Sequence, residues 1–291
     1  MRLCAFEVEG QHHLFAETPA GLIDIAMRSL DDLLRDQGGG AVRMGVAAGM
    51  RGGRIAAEPD QIPAEWRRLA PLQRPANQLF VGVNYRDHVA ELPPPWKMTA
   101  DPFVFSKLNS SIIGPGDPIR LPSDDASVDY EAELLVVIGE RASRLTTENA
   151  LDHVFGYTIV NDVTERAVQA TDNQLTMAKG MDTFCPMGPS IVGTDEIEDP
   201  SELEIWTAVN GEDRQRSNTN QLIFSVVDLL VSLTRTVTLQ PGDTISTGTP
   251  AGVGAFRTPP VFLAPGDVVT VGVQGIGELT NPVVAADSVP A

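Results

Sequence analysis

From Asp129 to Ile138 the chain reads Asp-Tyr-Glu-Ala-Glu-Leu-Leu-Val-Val-Ile, and no other stretch restricts the fold as much. The second half is an unbroken aliphatic run with the composition of a buried strand. The first half places acids at every second position. Side chains two apart on a strand point to one face, so Glu131 and Glu133 project together. Neighbouring carboxylates in a core repel and are costly to desolvate unless something positive sits between them. A lone Glu-x-Glu is ordinarily a solvated strand face. Here the continuation into Leu134–Ile138 favours burial around a cation.

Oxygen donors suit a hard cation, Mg²⁺ or Mn²⁺, with Ca²⁺ also compatible. The third ligand is expected at Asp162, which ends the apolar run Gly156–Asn161. Taken alone, Asp162 reads better as an N-cap for the segment starting at Val163. No His or Cys lies in these segments, which disfavours zinc.

The first 70 residues read as a small unit. Strand-like runs at Leu3–Val8, His13–Glu17 and Gly21–Ile25 precede a helix opened by Ser29, with Asp32 in capping-box position. Gly38, Gly39 and Gly40 are expected to end that helix, and residues 48–65 to form a connector. From residue 71 onward strands dominate: Leu79–Val83, Pro102–Lys107, Asp129–Ile138, Tyr157–Asn161, Leu203–Val209, Thr244–Thr247 and Val268–Val273. Asn210-Gly211 is a hairpin signal, and Pro-Gly-Asp turns stand at 241–243 and 265–267. Helices are expected at Thr147–Val154 and after Ser225. Without regular βαβ alternation, this predicts an α+β, mainly β domain.

Of four histidines, His12 and His13 read as surface residues and His153 as structural. His88 stands in Asn84-Tyr-Arg-Asp-His-Val-Ala-Glu91, one helical turn from Glu91. That spacing lets Glu91 hold one imidazole nitrogen and leave the other as a base. An ordinary surface His–Glu pair has the same spacing. Pro93–Pro95 and the residues to Ala100 have the character of a lid. Lys179 alone reads as surface solvation. Gly248-Thr-Pro-Ala-Gly-Val-Gly254 brings Thr249 and backbone amides near an anion, but lacks the Lys-Ser/Thr of a P-loop.

Net charge is −18, which excludes a nucleic-acid footprint and an anionic membrane surface. No apolar run reaches the ~20 residues of a membrane span. The N-terminus does not read as a signal peptide. Two isolated cysteines, Cys4 and Cys185, fit a reducing cytoplasm.

Several segments, in order over residues 79–284, together resemble the fumarylacetoacetate hydrolase family. They are Gly82–Glu91, Phe105-Ser-Lys107, Asp129–Leu134, Asn161–Arg166, Lys179–Phe184, Pro186–Pro189, Val209–Gly211, Gly248–Gly254 and Pro265 through Asn281-Pro282. The resemblance implies a mixed β-sandwich or β-roll catalytic domain over 71–291, a small N-terminal domain over 1–70, and a homodimer. It implies Glu131, Glu133 and Asp162 as ligands of Mg²⁺, Mn²⁺ or Ca²⁺. His88 and Glu91 match a lid dyad that activates water, and Lys179 matches an active-site lysine. Asn84, Tyr85, Lys107, Gln169 and Thr249 match positions that contact substrate or line its pocket.

The expected activity is hydrolysis of a C–C bond in an acylpyruvate or similar diketo acid. The alternatives are isomerisation, hydration or decarboxylation of a 2-oxo or 2-hydroxymuconate-type acid, oxaloacetate included, and tailoring of a specialised metabolite. A non-catalytic metal-binding homologue ranks below these. Two departures fall at the substrate end. Val83 stands where many acylpyruvate-cleaving members carry arginine, and Ala167-Val168-Gln169 keeps the glutamine of a common pattern but loses its acid.

Overall fold

The strand Ala132–Ile138 is buried along its whole length, and its two faces serve different cores. Leu134, Val136 and Ile138 join one apolar cluster, while Leu135 and Val137 join another. A strand covered on both faces needs a continuous apolar run rather than an alternating one. Glu131 and Glu133 share the parity of Leu135 and Val137, so they belong to the second face.

The structure is a computed structural model that describes residues 1–59, 61–92 and 99–286. The Pro93–Pro95 stop, with most of the lid-like segment that follows it, lies outside the described residues. Among the described residues, a twelve-stranded mixed sheet holds Ala132–Ile138 between Val154–Asn161 and Thr244–Ser246. A separate five-stranded sheet contains Glu204–Val209, Glu212–Asn218, Val268–Val273, Gly277–Val284 and Ile119–Arg120. Helices are few, and none of them is long and apolar enough to cross a membrane. The fold is α+β and mainly β.

The N-terminal strands are continuous with the large sheet. Arg2–Val8 pairs with Cys185–Gly193 through Arg2↔Val192 and Leu3↔Ile191. Leu3, Leu14, Leu30 and Leu34 sit in the same cluster as Leu135 and Val137. Residues on both sides of position 70 therefore share one core.

Three local expectations change. The helix opened by Ser29 does not stop at the glycines; it kinks and runs on to Gly52. Gly38 takes φ 75°, and the amides of Gly39 and Gly40 reach Gly139 O and the Glu140 carboxylate. A Cβ on Gly39 would meet Gly139 Cα at 2.9 Å. The glycine run thus permits close packing against a neighbouring turn. The first part of the 48–65 connector is accordingly helical, and Ile55–Ala57 adds an edge strand. Thr147–Val154 contains only a 3₁₀ turn at Ala150–His153, because Val154 already begins the next strand.

Other turn chemistry behaves as the residues dictate. Asn210 and Gly211, at φ 54° and 79°, close a hairpin. Ser225 and Asp228 form a reciprocal capping box on the helix Val226–Thr234. Ser225→Ala should cost about 1 kcal/mol by urea denaturation. No measurable loss would mean that packing alone holds this helix.

Candidate active site

The register of two strands assembles the acidic trio. Ala132 pairs with Asn161, which sets Glu131 opposite Asp162; Asp162 N–H donates to Glu131 O at 2.9 Å. The Asn161 side chain accepts from Glu131 N–H at 2.9 Å, fixing the turn from the other side. Carboxylate oxygens of Glu131, Glu133 and Asp162 all lie within 4.8 Å of one another, and all three residues are buried.

Basic groups surround the trio on one side. Lys179 Nζ bridges Glu131 at 2.7 Å and Asp162 at 2.6 Å. Lys107 Nζ lies 2.6 Å from the other Asp162 oxygen and also donates to the carbonyls of Val163 and Phe184. Arg166 pairs with Glu131 at 2.7 Å and Asp129 at 2.8 Å, and donates to Gln169 Oε1 at 2.9 Å. Asp129 in turn accepts from the backbone amides of Gly254 and Ala255.

Among the described residues, four carboxylates (Asp129, Glu131, Glu133 and Asp162) therefore share three cations, leaving one negative charge unmatched. It falls on Glu133, which has no ion pair and accepts only from the Ser246 hydroxyl and Gly248 N–H. Burial, then the charges of Asp162 and Glu131, push the Glu133 carboxyl well above its ordinary range. Glu131 behaves oppositely. Burial opposes its charge, but Lys179 and Arg166 prevail and hold its carboxyl down to about 2. Lys179 is also opposed by burial, yet Asp162 and Glu131 keep it protonated. A buried, all-oxygen donor set short of one positive charge fits a hard divalent cation, held by Glu131, Glu133 and Asp162.

Glu131, Glu133, Arg166 and Lys179 open into a cavity of about 560 Å³ that His88, Gln169 and Thr249 also line. His88 Nδ1 lies 2.9 Å from Glu91 Oε2. Glu91 is fixed in turn by Gly252 N–H at 2.9 Å, which ties the His88 turn to the glycine-rich loop. Thr249 Oγ1 accepts from Gln215 at 2.8 Å, leaving its hydroxyl hydrogen for the cavity.

Asn84, Tyr85 and Lys107 sit behind the cavity rather than on its surface. The Asn84 amide donates to Phe224 O and Thr247 O and accepts from Phe224 N–H, so it clamps loops. Tyr85 is fully buried in the core. Lys107 has no exposed side-chain surface and backs Asp162. His13 pairs with Asp24 at 3.0 Å, remote from the trio in the fold. Arg166, Asp129 and Ser246 gave no signal in the sequence beyond lying inside or near quoted motifs. Their roles depend on contacts across 35 to more than 100 residues of chain.

Comparison with known proteins identifies the family. The family model for the fumarylacetoacetate (FAA) hydrolase C-terminal region matches residues 78–284. A Xenopus laevis protein named mitochondrial oxaloacetate tautomerase fahd2 is 47% identical over 218 residues, covering 74% of this chain and 68% of the relative. A fumarylacetoacetate hydrolase structure from Exiguobacterium antarcticum is 38% identical with a TM-score of 0.81, covering 98% of this chain and 99% of its own. A maleylpyruvate hydrolase from Sphingobium sp. SYK-6, solved with manganese(II) and pyruvate, is 28% identical with a TM-score of 0.79, covering 99% and 100%. With residues 78–284 matched by the family model and 98–99% of the chain covered by these structures, the chain belongs to the fumarylacetoacetate hydrolase family of enzymes.

Proposed function

We propose that this chain is a divalent-cation-dependent enzyme, taking Mg²⁺ or Mn²⁺, that interconverts the keto and enol forms of a small 2-oxo acid. One observation carries the reading: a base held by a carboxylate, His88 on Glu91, opens into the same cavity as Lys179 and the Glu131 and Glu133 carboxylates of the acidic trio. A cation on Glu131, Glu133 and Asp162 would supply Lewis acidity to chelating carboxylate and carbonyl oxygens.

The chain's own residues account for the proton movements. His88 Nε2 carries no hydrogen bond among the described residues and takes the C3 proton of the substrate. Glu91 at Nδ1 stabilises the imidazolium that results. Lys179 offsets charge growing on the carbonyl oxygen. Return of the proton to that oxygen completes the exchange: a C–H bond breaks and an O–H bond forms. The 47%-identical relative named as an oxaloacetate tautomerase supports this order of preference.

C–C hydrolysis of an acylpyruvate is the second reading, supported by the same His88–Glu91 pair, which suits water activation, and by the maleylpyruvate hydrolase likeness. Metal-free protein given Mn²⁺ and acetylpyruvate separates the two by NMR. Deuterium entering C3 without acetate supports tautomerisation; stoichiometric acetate and pyruvate supports hydrolysis. Neither event with metal bound would sink both.

Cation binding should also release a proton, because Glu133 holds one to well above the ordinary carboxylate range. Calorimetric enthalpies should then vary with the ionisation enthalpy of the buffer. Buffer-independent enthalpies would contradict a protonated Glu133.

A further inference from the structure

The cavity has two chemically different ends. Among the described residues, the Lys and Arg side chains that line it are already committed to the carboxylate cluster: Lys179 to Glu131 and Asp162, Arg166 to Asp129, Glu131 and Gln169. Away from that cluster the wall is apolar, built by Val83, Leu92, Phe103, Leu175 and Phe256, with no Lys or Arg among those five residues. Phe103 and Phe256 are 51% and 38% exposed, so large rings face solvent at the edge of a recess. Exposed rings in that position mark an apolar binding surface. The Phe256 ring stands 5.7 Å from the imidazole of His88, which carries the apolar wall up to the base.

Two backbone features hold this wall in place. A Cβ on Gly82 would meet the Phe103 ring at 2.7 Å, so the glycine lets that ring lie close. Leu175 takes φ 62°, a left-handed conformation that is strained for leucine and that glycine or asparagine adopts readily. A bulky apolar side chain is nevertheless retained there and directed at the cavity.

We infer that the substrate is a 2-oxo acid with a single carboxylate and an apolar aryl or branched-alkyl group beyond C3, seated against Val83, Leu92, Phe103, Leu175 and Phe256. The 2-oxo acid end chelates at the acidic trio, and the apolar tail loses water against the far wall. A second carboxylate, as in oxaloacetate, would be desolvated against those five apolar residues, with no cationic partner among the described residues of that wall. The inference rests on the cavity being the enolising site, and it differs from the substrate named for the frog relative.

The test uses the full-length Mn²⁺-loaded protein and two probes that both enolise at C3, phenylpyruvate and oxaloacetate. Enol absorbance gives kcat/KM for each, which should favour phenylpyruvate by about tenfold or more. Val83→Arg adds a cation to a half-buried wall position and should narrow or invert that preference. Phe103→Ala, at an exposed ring, should lower kcat/KM for phenylpyruvate several times more than for oxaloacetate, which keeps the test alive if the arginine variant misfolds. Trimethylpyruvate, which has no C3 hydrogen, should bind by calorimetry without turnover. Equal rates, or preference for oxaloacetate, overturn the apolar site and leave enolisation standing. Trimethylpyruvate binding with neither probe enolised supports the apolar site and removes the enolisation reading. No binding and no turnover overturn both.

Discussion

Glu131→Gln should destabilise the metal-free protein by about 3–5 kcal/mol, whereas Glu133→Gln should leave it unchanged or more stable. The difference follows from partners, since both carboxylates are buried and two residues apart. Glu131 balances Lys179 and Arg166; neutralising it leaves buried cations short of charge. Glu133 balances no cation, and burial, Asp162 and Glu131 push it toward its neutral form; an amide there removes no ion pair and keeps an acceptor for Ser246. Both variants should nevertheless lose at least about a hundredfold in Mn²⁺ affinity, since even outer partners of metal ligands cost 10–100-fold. Activity should fall with the metal in each.

The pH dependence gives the sign an independent check. The Glu131 carboxyl lies below its ordinary 4.5 in the folded state, at about 2. Its stabilisation is therefore complete above about 4.5 and is lost as pH falls through the range down to about 2. The stability gap between wild type and Glu131→Gln should be full at neutral pH and close across that window. Thermal melts of metal-free protein at several pH values measure it. A gap that persists unchanged to low pH would mean that Glu131 acts through packing rather than charge. Two variants with the same stability would remove the charge imbalance that argues for a cation.

The Glu131–Glu133 pair was legible in the sequence because its signal is local, whereas Asp162 alone reads as an N-cap and joins the pair only through strand pairing. Alternation at Glu131 and Glu133 is a property of five consecutive residues, and the apolar continuation announces burial. His88 and Glu91 are likewise one helical turn apart. What surrounds them was not legible. Ser246 reaches Glu133 across two strands, and Arg166 reaches Asp129 because Val128–Asp129 pairs with Thr164–Glu165. Such partners are set by register between distant segments, which no periodicity encodes. The same limit explains Asn84 and Lys107. Both look like substrate contacts by motif position, yet the fold turns them to backbone carbonyls and to Asp162. The glycines at 38–40 misled for a different reason. Glycine ends helices in most contexts, but here its missing Cβ answers a close approach by Gly139.

His88→Ala should lower kcat for enolisation by about 10²–10⁴-fold while Mn²⁺ affinity stays within about threefold of wild type. His88 is buried, its side chain 7% exposed, and is held at Nδ1 by Glu91, so its tautomer and direction are fixed before substrate arrives. None of its hydrogen bonds reaches the acidic trio, which is why metal affinity should survive. Glu91→Gln provides the finer reading. The amide still occupies the site beside Gly252 N–H but no longer stabilises an imidazolium, so kcat should fall by less than in His88→Ala. KM for a chelating 2-oxo acid should change little in either variant, because binding is carried by the trio and the cavity walls. The measurements are enol absorbance for rates and calorimetry for the metal. If His88→Ala turns over at the wild-type rate with metal bound, the base is not His88, and Lys179 becomes the group to test. If metal affinity falls along with activity, the dyad supports the cation site and the proton-transfer role assigned to it is withdrawn.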